Sequence, residues 1–167
     1  MSKHIVNSKS PVSEINELLK DIPPPPERVP YPPKLILYII VIQGKELKSK
    51  GCYCTFQIGN KIIETSKDND SYNPIWDEHF RFRKFDLCDQ LTVGLYDNNS
   101  DEIGSLQFDI ADFNVNEIVD RWYSFGETNS KIRIAFHLAT RSDCAFENYE
   151  VKIETKNERI KTCIPGR

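Results

Sequence analysis

From Leu35 onward the hydrophobic residues of this chain recur with a period of two. Leu37, Ile39 and Val41 alternate, and Gly44 and Leu47 follow. Cys54, Phe56 and Ile58 form a second set. Gly59-Asn60 then makes a two-residue hairpin turn, because both residues tolerate positive φ, and Ile62-Ile63 opens the return strand. After the turn signal Asn73-Pro74, Phe80 and Phe82 point to one face of a strand and His79, Arg81 and Arg83 to the other. Leu91, Val93 and Leu95 alternate next, then Leu106, Phe108 and Ile110, then the short run Trp122 to Phe125. Ile132, Ile134, Phe136 and Leu138 close the series, with Arg133 and His137 on the opposite face. Eight short alternating segments separated by turns predict an all-β fold, an eight-stranded antiparallel Greek-key β-sandwich. Val115 to Arg121 reads as a single helical turn between two of these strands.

The ends follow other rules. Val12, Ile15, Leu18, Leu19 and Ile22 recur at helical spacing after Ser10-Pro11. A helix this short is marginal alone, so the stretch is either a frayed segment or a docking helix. Residues 23–33 hold seven of the ten prolines and read as a polyproline II spacer. Within them Pro23, Pro26 and Arg28 also fit the Pro-x-x-Pro-x-basic pattern that SH3-type grooves recognise. Beyond residue 139, Tyr149 to Thr155 reads either as one extra strand or as irregular chain. The expected organisation is an N-terminal extension over residues 1–34, a sandwich over 35–139 and a C-terminal segment over 140–167.

Charge narrows the partners. Residues 1–34 carry five basic and four acidic side chains, residues 35–139 eleven and sixteen, and residues 140–167 six and five. An acidic sandwich excludes general nucleic-acid binding, which needs a basic field. No stretch approaches the ~20 apolar residues of a membrane span. No hydrophobic signal region follows Met1-Ser2-Lys3-His4, Ser2 does not fit myristoylation, and Cys163 is one place too early for prenylation. The five scattered cysteines then read as free thiols in a reducing compartment, and the expected location is cytoplasmic, with peripheral membrane association. Catalytic chemistry is not expected. His4 lies in a terminal segment and His79 and His137 on strands, and no nucleophile setting, phosphate loop or zinc spacing is present.

The segment Ser71-Tyr72-Asn73-Pro74-Ile75-Trp76-Asp77-Glu78-His79-Phe80-Arg81-Phe82 resembles the Asn-Pro-x-Trp-Asn-Glu-x-Phe element of C2 domains, lipid-binding modules named after a conserved region of protein kinase C. Val41-Ile42-Gln43-Gly44-Lys45-Glu46-Leu47 resembles that family's Val-Ile-x-Ala-x-x-Leu strand. Leu95-Tyr96-Asp97 with Ile103-Gly104 resembles its Trp-Asp…Ile-Gly element, and Trp122 with Lys131-Ile132-Arg133-Ile134 its closing strands. Because a proline spacer cannot donate a central strand, the resemblance implies the second circular order, in which the Val-Ile strand comes first.

In that family three loops at one end bind calcium, chiefly through acidic residues of the first and third. Calcium takes 6–8 oxygen ligands, largely carboxylates. Here the first loop, Lys48-Ser49-Lys50-Gly51-Cys52, has no carboxylate, and Gly51-Cys52-Tyr53 stands where members carry Asp-Pro-Tyr. In the third loop Asp97 matches the first family ligand, Asn99 replaces the second with a neutral oxygen, and Asp101 or Glu102 matches the third. The expectation is a calcium-independent module with no cofactor. Adding Asp68 and Asp70 of the second loop to Asp97, Asn99, Asp101 and Glu102 gives the alternative, a non-standard calcium site. Lys48 or Lys50 is expected to sit near Asp97 and supply the charge that calcium supplies elsewhere. The resemblance also implies that His79, Arg81, Arg83 and Lys84 meet phosphoinositide head groups. The reading is a non-catalytic module that targets anionic phospholipid membranes. Its alternatives are a protein-docking adaptor and a calcium-dependent lipid binder, with no small-molecule substrate in any of them.

Overall fold

In the computed structural model, which describes residues 11–23, 34–140 and 143–155, the alternating segments form eight strands. They are β1 Leu35–Lys45, β2 Tyr53–Ile58, β3 Lys61–Glu64, β4 Ile75–Phe82, β5 Gln90–Tyr96, β6 Glu102–Asp109, β7 Ile118–Ser124 and β8 Lys131–Thr140. Two four-stranded antiparallel sheets result, in the orders β4-β1-β8-β7 and β3-β2-β5-β6. The Gly59-Asn60 turn sits where the alternation predicts it, with Ile58 paired to Lys61.

Leu37, Ile39 and Val41 of β1 meet Phe56, Val93 and Leu95 across the sandwich, with Ile134, Phe136 and Leu138 beside them. Phe136 lies at the centre of an aromatic group, its ring centroid 5.2 Å from that of Phe108 and 5.1 Å from that of Phe113. Cys52 and Cys54 fill the core as free thiols, and burial pushes the Cys54 thiol far up.

The expected helical turn at Val115 to Arg121 is corrected. The 3-10 turn occurs earlier, at Ile110–Asp112, and residues from Ile118 onward pair with β8, Ile118 opposite His137. The free edge of β8 offers a backbone ladder, and tertiary pairing overrides local propensity there.

The run Leu35 to Ile42 holds two apolar sets rather than one. Its second set faces away from the sandwich interior, where Ile40 and Ile42 are buried with Ala135. They are covered by residues 143–155, here called the strap, through Phe146, Tyr149, Val151 and Ile153. The strap forms no strand, so the extra strand allowed over Tyr149 to Thr155 is not made. Instead the Gln43 side-chain amide donates to the Glu154 carbonyl at 3.1 Å and accepts the Glu154 N–H at 3.0 Å. One side chain thereby satisfies the strap backbone as a neighbouring strand would.

His137 is buried beneath the strap rather than open to solvent. Its Nδ1 accepts the Phe146 N–H at 2.9 Å. Burial lowers the His137 pKa, opposed by the Asp143 carboxylate. A protonated ring cannot accept at Nδ1, so the neutral ring holds the strap. The folded pKa lies below the unfolded value, so this contribution is complete above about pH 6.5 and is lost as pH falls through the folded pKa. Amide exchange at Phe146, corrected for its intrinsic rate, is expected to accelerate on acidification while the β5 amides stay protected. In His137→Phe the step should be absent; a step that persists would place its origin elsewhere.

In the described N-terminal residues, 11–23, which belong to a unit separate from the sandwich, α1 spans Pro11–Leu19 and has no buried residue. Val12, Ile15, Leu18, Leu19 and Ile22 are 56–72% exposed. Pro26 and Arg28 of the SH3-type pattern lie outside the described residues. No helix among the described residues is long and apolar enough to cross a membrane.

Candidate functional site

Strand direction gathers the loops after β1, β3 and β5 at one end of the sandwich, because β2 runs antiparallel to both β3 and β5. The Asn-Pro-x-Trp element binds the first of these loops to the second. Asn73 Oδ1 accepts the Glu46 N–H at 3.0 Å, the Pro74 carbonyl accepts the Gly44 N–H at 2.8 Å, and the Tyr72 carbonyl accepts the Leu47 N–H at 3.0 Å. Trp76 is buried and donates its indole N–H to the Ser66 carbonyl at 2.9 Å. Asp77 takes a φ of 46° at the irregularity between β1 and β4, a conformation that Asp tolerates better than most residues. An Asn before proline commonly caps its own turn. Ser71 Oγ does this instead, accepting the Asn73 N–H at 2.9 Å, which leaves the Asn73 amide to reach across.

The three loops meet at Gly51, the residue standing where the family carries aspartate. Its N–H donates to the Asp68 carbonyl at 2.8 Å, and its φ is 75°. A Cβ there would lie 2.6 Å from Asn69 Oδ1 and 3.0 Å from the Asn98 side chain. Two neutral amides from the other loops thus pack where a carboxylate would project.

Of the remaining acids, Asp97 and Asp68 close their own turns, and Asp70, Asp101 and Glu102 are exposed. Asp97 Oδ1 accepts the N–H groups of Asn99 and Asp101, both at 2.9 Å. Asp68 Oδ1 accepts the Asp70 N–H at 3.0 Å. Among the described residues no three His, Cys, Asp or Glu side chains converge to hold a metal ion. Calcium takes 6–8 oxygens, and in this arrangement one oxygen each of Asp97 and Asp68 is already engaged by turn amides.

Lysines rim this end. Lys50 Nζ stands 5.5 Å from the centre of the Tyr72 ring and Lys67 Nζ 4.5 Å from that of Tyr53, both within cation–π reach. Lys48 is exposed. The expected pairing of Lys48 or Lys50 with Asp97 is not made: no such ion pair occurs among the described residues. Two turn amides already hold an oxygen of the Asp97 carboxylate, and an aromatic face takes Lys50 instead. Lys67 and Tyr72 were not singled out from sequence; their signal was a lysine and an aromatic flanking the acids of the second loop.

The basic row of β4 is a separate surface. His79 and Arg81 are exposed on an edge strand, His79 Nε2 lying 3.5 Å from Asp77. Arg83 and Lys84 fall just past the strand end and are exposed. Lys61 of β3 joins this group by donating to the Arg81 carbonyl at 3.4 Å. Arg81 is roughly 20 Å along β4 from the loop end, at about 3.3 Å per residue. The loop lysines and the β4 row therefore cannot both face one flat surface with the strands upright.

Gly51→Asp tests whether the loop end can be turned back into a calcium site. We expect a loss of about 1–3 kcal/mol from the left-handed backbone and the clash, and no rise in melting temperature with millimolar calcium. A calcium-dependent rise would show that the loops can open to accept the carboxylate.

A sequence profile of the C2 domain family matches residues 35–125. Mouse extended synaptotagmin-3 is 33% identical over 82 residues, which is 47% of this chain and 9% of that protein. Protein QUIRKY of Arabidopsis thaliana is 38% identical over 50 residues, 30% of this chain and 5% of that protein. The chain thus matches less than a tenth of either relative. Among solved structures, a two-domain C2 fragment of Extended-Synaptotagmin 2 superposes with a TM-score of 0.58 at 19% identity, over 64% of this chain and 40% of that one. A single C2 domain of plant Extended Synaptotagmin 1 superposes with a TM-score of 0.57 at 16% identity, over 67% of this chain and 99% of that one. With the strand order, the Asn-Pro-x-Trp anchor and the profile match in agreement, the chain belongs to the C2 domain family.

Proposed function

We propose that the protein is a non-catalytic membrane-targeting module. Its loop end binds anionic phospholipid surfaces without calcium, and it associates peripherally with membranes in the cytoplasm. One observation supports this reading: the first loop carries no carboxylate, Gly51 standing where the resemblance places one, and Lys48, Lys50 and Lys67 bring fixed positive charge to the same rim. Each lysine near an anionic surface contributes on the order of 1 kcal/mol, lost within a Debye length and weakened by salt. Tyr72, about half exposed beside Lys50, has the amphipathic ring suited to the head-group layer. The acidic sandwich behind the rim favours one orientation.

Sedimentation with phosphatidylserine-containing vesicles tests this. Replacing Lys48, Lys50 and Lys67 by Glu is expected to weaken binding by about 100-fold or more, since three attractions become repulsions. Arg81→Ala with Arg83→Ala should leave binding within about twofold of wild type, because that row lies at the far end of β4. The reverse pattern would move the membrane face to the β4 row, and full binding by both variants would overturn the electrostatic reading.

A second reading, a protein adaptor, draws on the exposed apolar face of α1. Deleting residues 1–33 would then remove a protein partner while leaving vesicle binding intact.

A further inference from the structure

A cavity of about 360 Å³ opens beside the loop end, between the end of β1, Tyr72, Trp122 of β7 and Glu154 of the strap. Its aromatic walls are Tyr72 and Trp122, and its charged groups are Lys45, Glu46 and Glu154. Glu154 Oε1 accepts the Trp122 indole N–H at 3.4 Å, so the carboxylate sits at the edge of the ring. Lys45 Nζ lies 6.0 Å from the indole centre, at the limit of cation–π reach.

Glu46 has a φ of 53°, uncommon for a residue other than Gly, Asn or Asp. It is held there from both sides: its N–H donates to Asn73 and its carbonyl accepts Ser130 Oγ at 3.2 Å. The backbone is pinned in a costly conformation at the cavity rim, as occurs where a ligand is met.

We propose that this cavity binds the phosphocholine head group of a membrane lipid. The quaternary ammonium would lie against Trp122 and Tyr72 beside the carboxylates of Glu46 and Glu154, and the phosphate would pair with Lys45. Two carboxylates, Glu46 and Glu154, face two ammonium groups, Lys45 and the Lys50 that stands over the Tyr72 wall, a balance that suits a ligand pairing an anion with a cation. The aromatic walls favour a weakly hydrated one, since a methylated ammonium loses less on leaving water than a compact ion. It has no N–H groups to satisfy, which suits a site whose Glu154 oxygen and Asn73 oxygen already have donors. Lys45, displaced from the indole face, is then free to pair with an anion tethered a short chain away from the ammonium. Phosphocholine supplies both charges on one such tether; choline or phosphate alone supplies one.

The choice of a lipid source rests on the reading that the loop end faces a membrane; the cavity chemistry does not. Trp122 is partly exposed and Trp76 is buried, so soluble ligands can be followed by tryptophan emission. Phosphocholine should produce a saturable change at millimolar concentration. Choline should bind about tenfold more weakly, the size of one partly exposed charge-assisted pair, and inorganic phosphate should produce no change. Lys45→Ala should bring phosphocholine down to the level of choline, with choline binding no weaker than to wild type, since the lysine that competes for the indole face is gone. Absence of a saturable response to phosphocholine, or an equal response to phosphate, overturns the proposal even if the lysine variants behave as expected with vesicles. In the second arm, vesicles of equal anionic content are compared with phosphatidylcholine or phosphatidylethanolamine as the neutral lipid. Stronger binding to the phosphatidylcholine vesicles, lost in Lys45→Ala, supports the lipid source. Soluble binding without that difference overturns it.

Discussion

Ending the chain at Thr140 is expected to lower the melting temperature by roughly 10 °C and to make the protein bind a hydrophobic dye. The strap covers Ile40, Ile42 and Ala135 with Phe146, Tyr149, Val151 and Ile153. Half-burying such side chains contributes on the order of 1 kcal/mol each, and ordering the strap backbone takes back much of it. A net loss of about 2–4 kcal/mol remains, a large share of a small domain's stability. The uncovered face would leave β1 and β8 apolar on their solvent side, a contiguous patch of the kind that draws aggregation. Thermal melts followed by circular dichroism, with dye fluorescence alongside, check this. An unchanged melting temperature without dye binding would mean that the strap does not cover the sheet in solution.

Arg133→Ala is expected to cost about 3 kcal/mol, because it removes one half of a largely buried ion pair. Arg133 donates through Nε and Nη2 to the two oxygens of Asp120, at 2.9 and 2.7 Å, in a fork that only guanidinium provides. The two side chains are 12% and 16% exposed. Nη1 reaches the strap carbonyl of Lys152, and the Tyr149 hydroxyl donates to Asp120 from the strap side. The hydrogen bond to Asp120 raises the Arg133 pKa, and burial and the same carboxylate push Tyr149 up to about 12. The raised Tyr149 value makes its contribution complete below about pH 10 and lost as pH rises through the folded value. Arg133→Ala leaves the Asp120 charge unpaired beneath the strap. Replacing the pair together, Arg133→Met with Asp120→Leu, should recover most of the loss, since burying two apolar groups avoids the orphaned charge. A double variant no more stable than Arg133→Ala would locate the effect in packing rather than in the unpaired carboxylate.

The strands were legible because each has a face in the core, so Phe56, Val93 and Phe136 mark their neighbours by alternation. Residues 118–121 were not, because the edge of β8, far away in sequence, draws them into a ladder. The strap was half legible. Tyr149, Val151 and Ile153 alternate as a strand would, but they lie across a sheet face, where side chains rather than a backbone ladder hold them. Its counterpart lay in β1, where the alternation of Leu37, Ile39 and Val41 drew the reading to one face and passed over Ile40 and Ile42 on the other.

At the loop end, the absence of any acidic side chain from residues 48–52 could be read directly. What Asp97 and Lys50 do could not. An aspartate in a short loop either faces a cation or closes its own turn, and the loop backbone decides between them. Asp97 closes its turn, and Lys50 goes to Tyr72.

In the proposed function, fixed lysine charge at the loop end of a C2 sandwich does the work of bound calcium. Sedimentation of the full chain with phosphatidylserine vesicles, in chelator and again in millimolar calcium, tests it most directly. The bound fraction should be the same in both and fall with added salt. Binding that appears only when calcium is present would contradict it.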